Sequence, residues 1–317
     1  MRIAFIMDPI ETLALHKDTT VVLMREAHRR GHEIFSVTPE NISIDRTQVE
    51  FHGRPVSFGE AENALPEALI EIAFQGADCD AVLVRTDPPF DESYLQVTWA
   101  LDFLPQRVFV MNSPQGLRNA NEKLAALHFP DLTPPTLVTR RLEELLTFME
   151  GVGGAMVVKP INAFGGKGVM VLRRADKNLR AVLSLLTEEH TVPIIAQAYL
   201  PEVKAGDKRI IVLNGKPVGA VLRVASPTDN RSNVMAGGSV EKAEITERDR
   251  QICERIAPFL EREGLFFAGI DVIGGLLTEI NVTSPTCVQE INRLSHVKLE
   301  QQILDFLEAK VGERIHA

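Results

Sequence analysis

The sequence predicts an α/β protein with a parallel sheet in its N-terminal third and antiparallel hairpins in the remainder. In the first third, short apolar runs alternate with helical patterns, which is typical of parallel strands joined by helices. In the last third, Asn214-Gly215 and Gly274-Gly275 each lie between apolar runs, as in two-residue hairpins. The length of 317 residues allows two domains or three small ones.

The first third is predicted to hold four strands and two helices. The strands are residues 3–7, 33–37, 81–84 and 108–111, and the helices are residues 19–30, capped by Asp18, and 61–74. Ligands of parallel sheets bind beyond the carboxyl ends of the strands. The polar residues at those ends are therefore candidate site residues: Asp8, Lys17, Asp18, Arg85, Asp87 and Asn112.

The middle of the chain contains a glycine loop between two strands. A helix at about 141–150 leads to a strand at 155–158, and a second strand at 169–173 follows Gly165-Gly166-Lys167-Gly168. A Walker loop or a dinucleotide fingerprint would open a helix, so we interpret this loop as a hairpin tip. Its backbone N–H groups could hold a phosphate, although an ordinary flexible hairpin remains an alternative.

Two lysines near this loop are candidate phosphate ligands. Lys159 ends a strand that is predicted to be buried, and buried lysines are rare unless they are paired. Lys123 begins a predicted helix at 121–128, where a simple solvated lysine is the alternative.

In the last third, the Asn214-Gly215 hairpin carries two arginines. If Leu213 pairs with Lys216, Arg209 opposes Ala220 and Arg223 points to the other face. The two guanidinium groups converge only if a bulge, for which Gly219 is a candidate, shifts the register. Scattered surface arginines are the alternative.

The remaining elements are two helices and a long connection. Thr246 caps a helix that runs to about 263, and a final helix is predicted from 285 or 286 to 310. Residues 226–238 have no apolar periodicity, and we predict a mobile segment that covers the active site. A passive surface linker is the alternative.

The sharpest cluster in the sequence is Asp271, Glu279 and Asn281. Glu279 and Asn281 are two apart on one strand and share a face. A plain two-residue turn would pair Asp271 with Thr278, whereas a three-residue loop, Gly274-Gly275-Leu276, pairs Asp271 with Glu279. With the second register, two carboxylates and an amide oxygen converge, which suits magnesium. Exposed polar residues on a solvated sheet face are the alternative.

Composition excludes several classes of protein. The net charge of −9 disfavours a broad nucleic-acid surface, and three separated cysteines disfavour a zinc site or a disulfide framework. No signal peptide or membrane span is expected, so we predict a cytoplasmic protein. No GxSxG or cysteine–histidine arrangement supports a hydrolase. The first strand is followed by Asp8-Pro9 and no GxGxxG, which disfavours a dinucleotide-dependent oxidoreductase.

Five short motifs together resemble those of bacterial glutathione synthetases in the ATP-grasp superfamily. They run from residue 7 to about residue 290: Met7-Asp8-Pro9-Ile10, Arg85-Thr86-Asp87-Pro88-Pro89-Phe90-Asp91, Asn121-Glu122-Lys123-Leu124, Gly206-Asp207-Lys208-Arg209 and Thr278-Glu279-Ile280-Asn281-Val282-Thr283-Ser284-Pro285-Thr286. The resemblance implies an N-terminal α/β domain (residues 1–120), a small central lid domain (121–200) and a C-terminal α+β domain (201–317), the last two forming an ATP-grasp fold.

The resemblance also implies roles for individual residues. Those implied for ATP are Lys123 and Lys159 on the phosphates, Gly165 and Gly166 at the lid tip, Gln197, Ala198, Tyr199 and Leu200 along the adenine, and Asp207 near the ribose. Those implied for magnesium are Asp271, Glu279 and Asn281. Those implied for catalysis are Arg209, Arg223 and Asn281. Those predicted for the other substrates are Lys17, Asp18, Arg85, Ser284 and Thr286, the last two at the start of the final helix.

The predicted function is therefore an ATP- and Mg²⁺-dependent ligase, with Mn²⁺ able to substitute. It would join γ-glutamylcysteine and glycine through an acyl phosphate. Another ATP-grasp ligase and a catalytically silent nucleotide-binding module are the alternatives. We expect small-molecule substrates, no nucleic acid or membrane partner, and a homo-oligomer, although no pattern in the sequence specifies an oligomeric state.

Overall fold

The N-terminal sheet has a parallel centre and an antiparallel extension. The computed structural model describes residues 1–61, 64–225 and 239–315. The eight strands of this sheet are β1 (Arg2–Ile6), β2 (Glu33–Val37), β3 (Ile42–Asp45), β4 (Gln48–Phe58), β5 (Pro66–Ala68), β6 (Ile72–Gln75), β7 (Ala81–Val84) and β8 (Phe109–Met111). Their order is β3-β4-β2-β1-β7-β8, with β5 and β6 paired to β4. The four predicted strands correspond to β1, β2, β7 and β8, which pair in parallel as expected.

Two helices connect these strands, α1 (Thr19–Arg29) and α2 (Glu92–Leu101), and a third, α3 (Pro114–Asn119), follows β8. The predicted cap of α1 is confirmed, because the Asp18 carboxylate accepts hydrogen bonds from the N–H groups of Thr20 and Val21. Short 3-10 helices also occur at Ile10–Thr12, Pro39–Asn41, Gly76–Asp78, Ala125–His128 and Pro201–Ala205.

The predicted helix at 61–74 is wrong. Within the described part of that stretch, the chain forms β5 and β6, which pair antiparallel with β4. Its apolar residues form no buried helical stripe, since Leu65 is 63% and Ile70 is 88% exposed. The long strand β4 offers an open edge for backbone hydrogen bonds, and this tertiary pairing outweighs the local helical pattern.

The central part of the chain forms a small antiparallel sheet of its own. It contains β9 (Thr136–Thr139), α4 (Leu142–Gly151), β10 (Ala155–Pro160), β11 (Met170–Arg173), α5 (Leu179–Leu186) and β12 (Ile194–Ala198). The strand order is β11-β10-β12-β9. The antiparallel pairing of β10 with β11 confirms the interpretation of the glycine loop as a hairpin tip. Both helices pack on a separate apolar cluster that includes Leu145, Met156 and Leu183.

The C-terminal sheet is antiparallel and carries two long hairpins. Its elements are β13 (Asp207–Leu213), β14 (Lys216–Val224), β15 (Ser239–Lys242), α6 (Glu247–Glu263), β16 (Phe267–Ile273), β17 (Leu276–Asn281), α7 (Val288–Ser295) and α8 (Leu299–Ile315), and the strand order is β15-β14-β13-β16-β17. Thr246 caps α6 as predicted, in a capping box with Asp249. The single predicted final helix is wrong, because the helix is interrupted at His296, which has a left-handed φ of 54°.

The N-terminal and C-terminal sheets share their apolar cores. One buried cluster includes Val82 and Ile210, and a second includes Phe5 and Ile211, so both clusters cross between the two sheets. The side chain of Asn112 adds a polar link. It exchanges two hydrogen bonds with the backbone of Phe267 and donates a third to the carbonyl of Val282.

The division into domains at 120 and 200 stays a prediction. No helix in the described ranges is long and apolar enough to cross a membrane.

Gly116 in α3 lies against the end of α6 and tests this packing. A Cβ atom at residue 116 would lie 2.0 Å from the carbonyl oxygen of Glu263, which is backbone and cannot rotate away. We expect Gly116→Ala to lower the free energy of unfolding by roughly 1–3 kcal/mol. The matched control is Gly312→Ala in α8, where no atom lies within 4 Å and alanine should raise stability by up to about 1 kcal/mol. Urea unfolding of both variants measures the difference, and equal midpoints would contradict the close packing.

Candidate functional site

A cavity of about 1240 Å³ is lined by residues of the central and C-terminal sheets and by segments that follow the strands of the N-terminal sheet. Arg85 and Asn112 do not line it, whereas all the other predicted site residues do: Asp8, Lys17, Asp18, Asp87, Lys123, Lys159, Gly165, Gly166, Gln197, Ala198, Tyr199, Leu200, Asp207, Arg209, Arg223, Asp271, Glu279, Asn281, Ser284 and Thr286. Because these residues are spread over nearly 280 positions of the sequence, only the packing of the sheets brings them together. Their individual roles stay predictions.

A β-bulge decides where the two arginines point. The turn at Asn214-Gly215 has φ values of 48° and 74° and pairs Leu213 with Lys216, as predicted. Beyond it, Val212 pairs with Pro217 and Ile211 with Gly219, so Val218 is the extra residue. Arg209 therefore opposes Val221, not Ala220, and Arg223 opposes Asp207. The bulge lies next to Gly219, as the sequence suggested, and it places both arginines on the cavity side.

A second bulge sets the register of the predicted metal ligands. Asp271 opposes Glu279 as predicted, but the predicted three-residue loop is wrong. The loop is Gly274-Gly275 alone, with both φ values positive, and Ile273 pairs with Leu276. The extra residue is Thr278, whose hydroxyl donates to the carbonyl of Asp271. The bulge thus produces the pairing that a longer loop was expected to give.

Asp271 is the centre of a buried charge cluster. Arg209 donates two hydrogen bonds to it, from Nε to Oδ1 at 2.5 Å and from Nη2 to Oδ2 at 3.0 Å. Arg223 places Nη2 at 3.0 Å from Oδ2 and at 2.5 Å from Oδ2 of Asp207. Burial opposes ionisation of Asp271, but the two guanidinium groups outweigh it and hold the pKa of this carboxyl well below its usual range. Asp271 therefore stays an anion.

The donor set near Asp271 fits a hard cation. Within the described part of the chain, no three His, Cys, Asp or Glu side chains come together as a metal cluster. A cation here would therefore need the amide oxygen of Asn281 beside the carboxylates of Asp271 and Glu279. The Asn281 amide nitrogen donates to the Gly269 carbonyl and to Asp271, which is compatible with its oxygen acting as a ligand.

Lys159, in β10, lines the cavity between the central and C-terminal sheets. Its Nζ atom donates to Oε1 of Gln197 at 3.1 Å and lies 3.8 Å from Oε1 of Glu279. Gln197 is oriented in turn by a hydrogen bond that it donates to Thr136. This chain of contacts links the central sheet, which carries Lys159 and Gln197, to the C-terminal sheet, which carries Glu279. One ammonium group thus faces both halves of the cavity.

Lys123 faces the glycine loop. Its ammonium donates to the carbonyls of Ile161 and Ala163. Gly165 and Gly166 have φ values of 62° and 75°, which side chains adopt only with strain. The predicted helix at 121–128 is wrong, since only Ala125–His128 is helical, as a 3-10 turn. The amide oxygen of Asn121 accepts from the N–H groups of Lys123 and Leu124, and this local turn replaces the helix start.

The residues predicted to meet the acid and amine substrates come from the N-terminal part of the chain and from the loop between β17 and α7. Ser284 donates to the carbonyl of Arg85, while the guanidinium of Arg85 is buried and donates to Thr20 and to the carbonyl of Pro285. Thr286 precedes α7, which begins at residue 288 and not at 285 or 286. A helix-start role for Ser284 and Thr286 is therefore wrong in detail, because both belong to the loop before the helix. The predicted covering segment at 226–238 lies outside the described residues.

The sequence did not single out Glu122, although it stands in a quoted motif. Oε1 of Glu122 accepts three hydrogen bonds, from the N–H groups of Val282 and Thr283 and from the Thr283 hydroxyl, at 2.7–3.0 Å. Its backbone carbonyl accepts from the N–H of Ile280. Glu122 thereby holds the strand of Glu279 and Asn281 against the segment of Lys123. The feature of the sequence that could have indicated this role is the carboxylate side chain of Glu122 between two other residues of the motif, Asn121 and Lys123.

The fold is that of ATP-grasp enzymes. The solved ATP-grasp ligase PsnB, complexed with minimal precursor, is similar with a TM-score of 0.65 and 19% identity, over 97% of this chain and 98% of that one. The D-cycloserine synthetase DcsG is similar with a TM-score of 0.66 and 16% identity, over 97% of this chain and 100% of that one. At this level of identity the likeness shows the fold, and it confirms the predicted fold class.

Comparison of sequences then identifies the family. The model of the prokaryotic glutathione synthetase N-terminal domain matches residues 1–118, and that of the ATP-grasp domain matches residues 122–296. The glutathione synthetase of Thermosynechococcus vestitus is 43% identical over 317 residues, covering 97% of this chain and 99% of the relative. That of Brucella melitensis is 39% identical, covering 98% and 99%. The chain belongs to the prokaryotic glutathione synthetase family, and it is an ATP-dependent ligase.

Glu122 provides a test of how the site is held together. Glu122→Ala leaves three donors without their acceptor and should lower kcat/KM by roughly 10- to 100-fold through misplacement of the neighbouring side chains. Glu122→Gln keeps an acceptor oxygen, so we expect it to recover most of the activity. Steady-state kinetics of both variants, with melting temperatures as a control for folding, measure the effect. If glutamine is as damaging as alanine, the carboxylate charge matters and the positioning role is wrong.

Proposed function

We propose that this protein forms glutathione from γ-glutamylcysteine and glycine while ATP is converted to ADP and phosphate. The observation that carries the proposal is the single cavity that brings together Lys123 and Lys159, the arginine pair and the carboxylate–amide set. Membership of the glutathione synthetase family supports the choice of acid and amine.

The chemistry requires activation of a carboxylate. A carboxylate is a poor electrophile, so its oxygen first attacks the γ-phosphorus of ATP, which gives an acyl phosphate and ADP. The amine of glycine then attacks the acyl carbon, an amide bond forms, and phosphate leaves with the electrons of the acyl C–O bond. Both steps place negative charge on phosphoryl oxygens, and preorganised cations are the groups that stabilise it. No covalent enzyme nucleophile is needed.

The arginine pair is suited to this task because its guanidinium groups can change from one anionic partner to another. In the structure, Arg209 and Arg223 both pair with Asp271, and Arg223 also pairs with Asp207. We propose that Asp271, Glu279 and Asn281 hold Mg²⁺, with Mn²⁺ able to substitute, and that the bound metal neutralises phosphate charge. The two guanidinium groups would then exchange the Asp271 oxygens for phosphate oxygens. A buried arginine without an anion is costly, which makes an incoming phosphate a favoured partner. The structural neighbour PsnB has been solved with Mg and ADP, which supports a divalent cation in this fold.

We propose that each part of the substrates lies against a different group of the residues that line the cavity. Adenine would lie against residues 197–200, the phosphates between the two lysines and the Gly165-Gly166 turn, and the acid near Lys17, Asp18, Ser284 and Thr286. We further propose a cytoplasmic location, in keeping with three buried cysteines, Cys79, Cys253 and Cys287, that are free thiols. The homo-oligomer and the lack of a nucleic-acid partner stay predictions.

A coupled assay tests the function directly. ADP release should depend on the presence of both γ-glutamylcysteine and glycine, and mass spectrometry should find glutathione as the product. A panel of other acids and amines serves as the control. Equal or faster ADP release with a different acid–amine pair would assign the protein to another ATP-grasp activity.

Glu279 tests the metal assignment. Glu279→Gln removes one charge at nearly constant volume and should lower kcat by roughly 100-fold or more, because charge neutralisation at the phosphates is weakened. The control is Glu241→Gln on the edge strand β15, where the side chain is exposed. Turnover is measured over a magnesium titration. Near-normal turnover at saturating magnesium, in protein of unchanged melting temperature, would count against Glu279 as a metal ligand.

Lys159 tests the assignment of the phosphate end. Lys159→Ala should weaken binding of ATP much more than binding of γ-glutamylcysteine, since the proposed partner of the ammonium group is phosphate. Lys208→Ala is the control, because Lys208 is also partly buried but pairs with Asp249. Calorimetry of both ligands measures the effect. A similar loss for ATP and γ-glutamylcysteine would indicate that Lys159 only supports the fold.

A further inference from the structure

Glu290, in the first turn of α7, is a buried carboxylate that the proposed mechanism does not use. It is 6% exposed and lines the cavity. Its Oε2 atom is buried and has no hydrogen-bond partner among the residues that the structure describes. A buried carboxylate oxygen without a partner is costly, so its retention at a cavity wall points to a ligand that completes it.

A cationic side chain without a partner lines the same cavity. The ammonium group of Lys17 forms no ion pair or hydrogen bond within residues 1–61, 64–225 and 239–315, and it does not pair with Glu290 although the two groups attract each other. Burial raises the pKa of the Glu290 carboxyl, and the positive charges of Arg293, Lys17 and His16 oppose that shift. Arg293 and His16 are exposed to solvent, so Lys17 is the partly buried cation of the three.

The helix and the loop that carry these two groups are fixed to each other. Gln289 donates from its amide nitrogen to the backbone carbonyls of Leu15 and Asp18, which flank Lys17 in the loop before α1. Asp18 is itself held as the N-cap of α1. The separation of Lys17 from Glu290 is therefore built into the fold. An anion and a cation held apart in one cavity complement a ligand that carries both charges.

We propose that Glu290 binds the α-ammonium group of the acid substrate, and that Lys17 binds the α-carboxylate of the same amino-acid end. This inference rests on the proposed function and specifies which part of the acid substrate the enzyme recognises. The ligand class is an acid with a zwitterionic α-amino-acid group at one end. This group binds to Glu290 and Lys17, while the reacting carboxylate at the other end reaches the phosphates. Glu290 would thus reject acids of equal length that lack the ammonium group, because such acids leave its oxygen buried and unpaired.

The ammonium of glycine is the competing ligand for Glu290. The glycine amine must be neutral to attack the acyl phosphate, and a nearby carboxylate favours the protonated form of an amine. A carboxylate that only stabilises ammonium therefore suits the end of the acid that does not react. If Glu290 instead accepted the proton of glycine as a general base, its removal would slow the reaction with every acid.

The test compares γ-glutamylcysteine with glutarylcysteine, which differs only by the missing α-ammonium group. In the unchanged protein, we expect kcat/KM to be roughly 100-fold higher for γ-glutamylcysteine, as for loss of one charged hydrogen bond in a buried site. Glu290→Gln should lower kcat/KM for γ-glutamylcysteine by about the same factor and leave that for glutarylcysteine within about threefold, with KM for ATP unchanged. The control is Glu300→Gln, a carboxylate on α8 that is buried to a similar extent and accepts from Asn292.

Two results would overturn the inference. One is an equal loss with both acids in Glu290→Gln, which indicates a general base or a structural role. The other is equal kcat/KM for the two acids in the unchanged protein, a result that does not depend on how any variant folds. Calorimetric binding of both acids, in the presence of a non-hydrolysable ATP analogue, repeats the comparison without turnover. A failure of the ligase reaction is thereby distinguished from a failure of the Glu290 subsite.

Discussion

The site depends on one buried carboxylate held between two guanidinium groups. Asp271 is 4% exposed, and Arg209 and Arg223 are exposed to a similar extent. None of the three charges could be buried alone, because the free energy lost with its hydration would exceed the free energy gained from contacts with the surrounding apolar strands. Together they form ion pairs, while Nε of Arg223 has no hydrogen-bond partner among the described residues. The positions of β13, β14 and β16 follow from this requirement, since each of these strands supplies one member.

The second constraint is the attachment of the carboxylate strand β17 to earlier parts of the chain. Glu122 accepts three hydrogen bonds from residues just after β17, and Asn112 bonds the same segment at Val282. Both side chains come from the N-terminal half of the sequence. The end of β17 is therefore set by contacts across more than 150 residues, and the cavity takes its shape from them.

Local patterns in the sequence indicated about half of the elements of the fold, and β4, β9, β12, β15, α2 and α5 are among those that they did not indicate. The alternation of apolar runs indicated the parallel strands, Asp18 and Thr246 indicated two helix starts, and Asn214-Gly215 indicated a tight hairpin. Each of these signals acts within a few residues, through capping, turn conformation or side-chain periodicity. The family resemblance added the candidate residues of the cavity, which no local rule connects.

What the sequence determined by itself was therefore the identity of the charged residues and the type of about half of the elements. Their convergence was decided by tertiary structure. The extra residues Val218 and Thr278 shift two strand registers, and a bulge forms only when a partner strand competes for the backbone hydrogen bonds. The same competition turned residues 66–75 into strands along β4. Pairing energy comes from distant segments, so a local pattern can name the residues of this site but not the faces on which they lie.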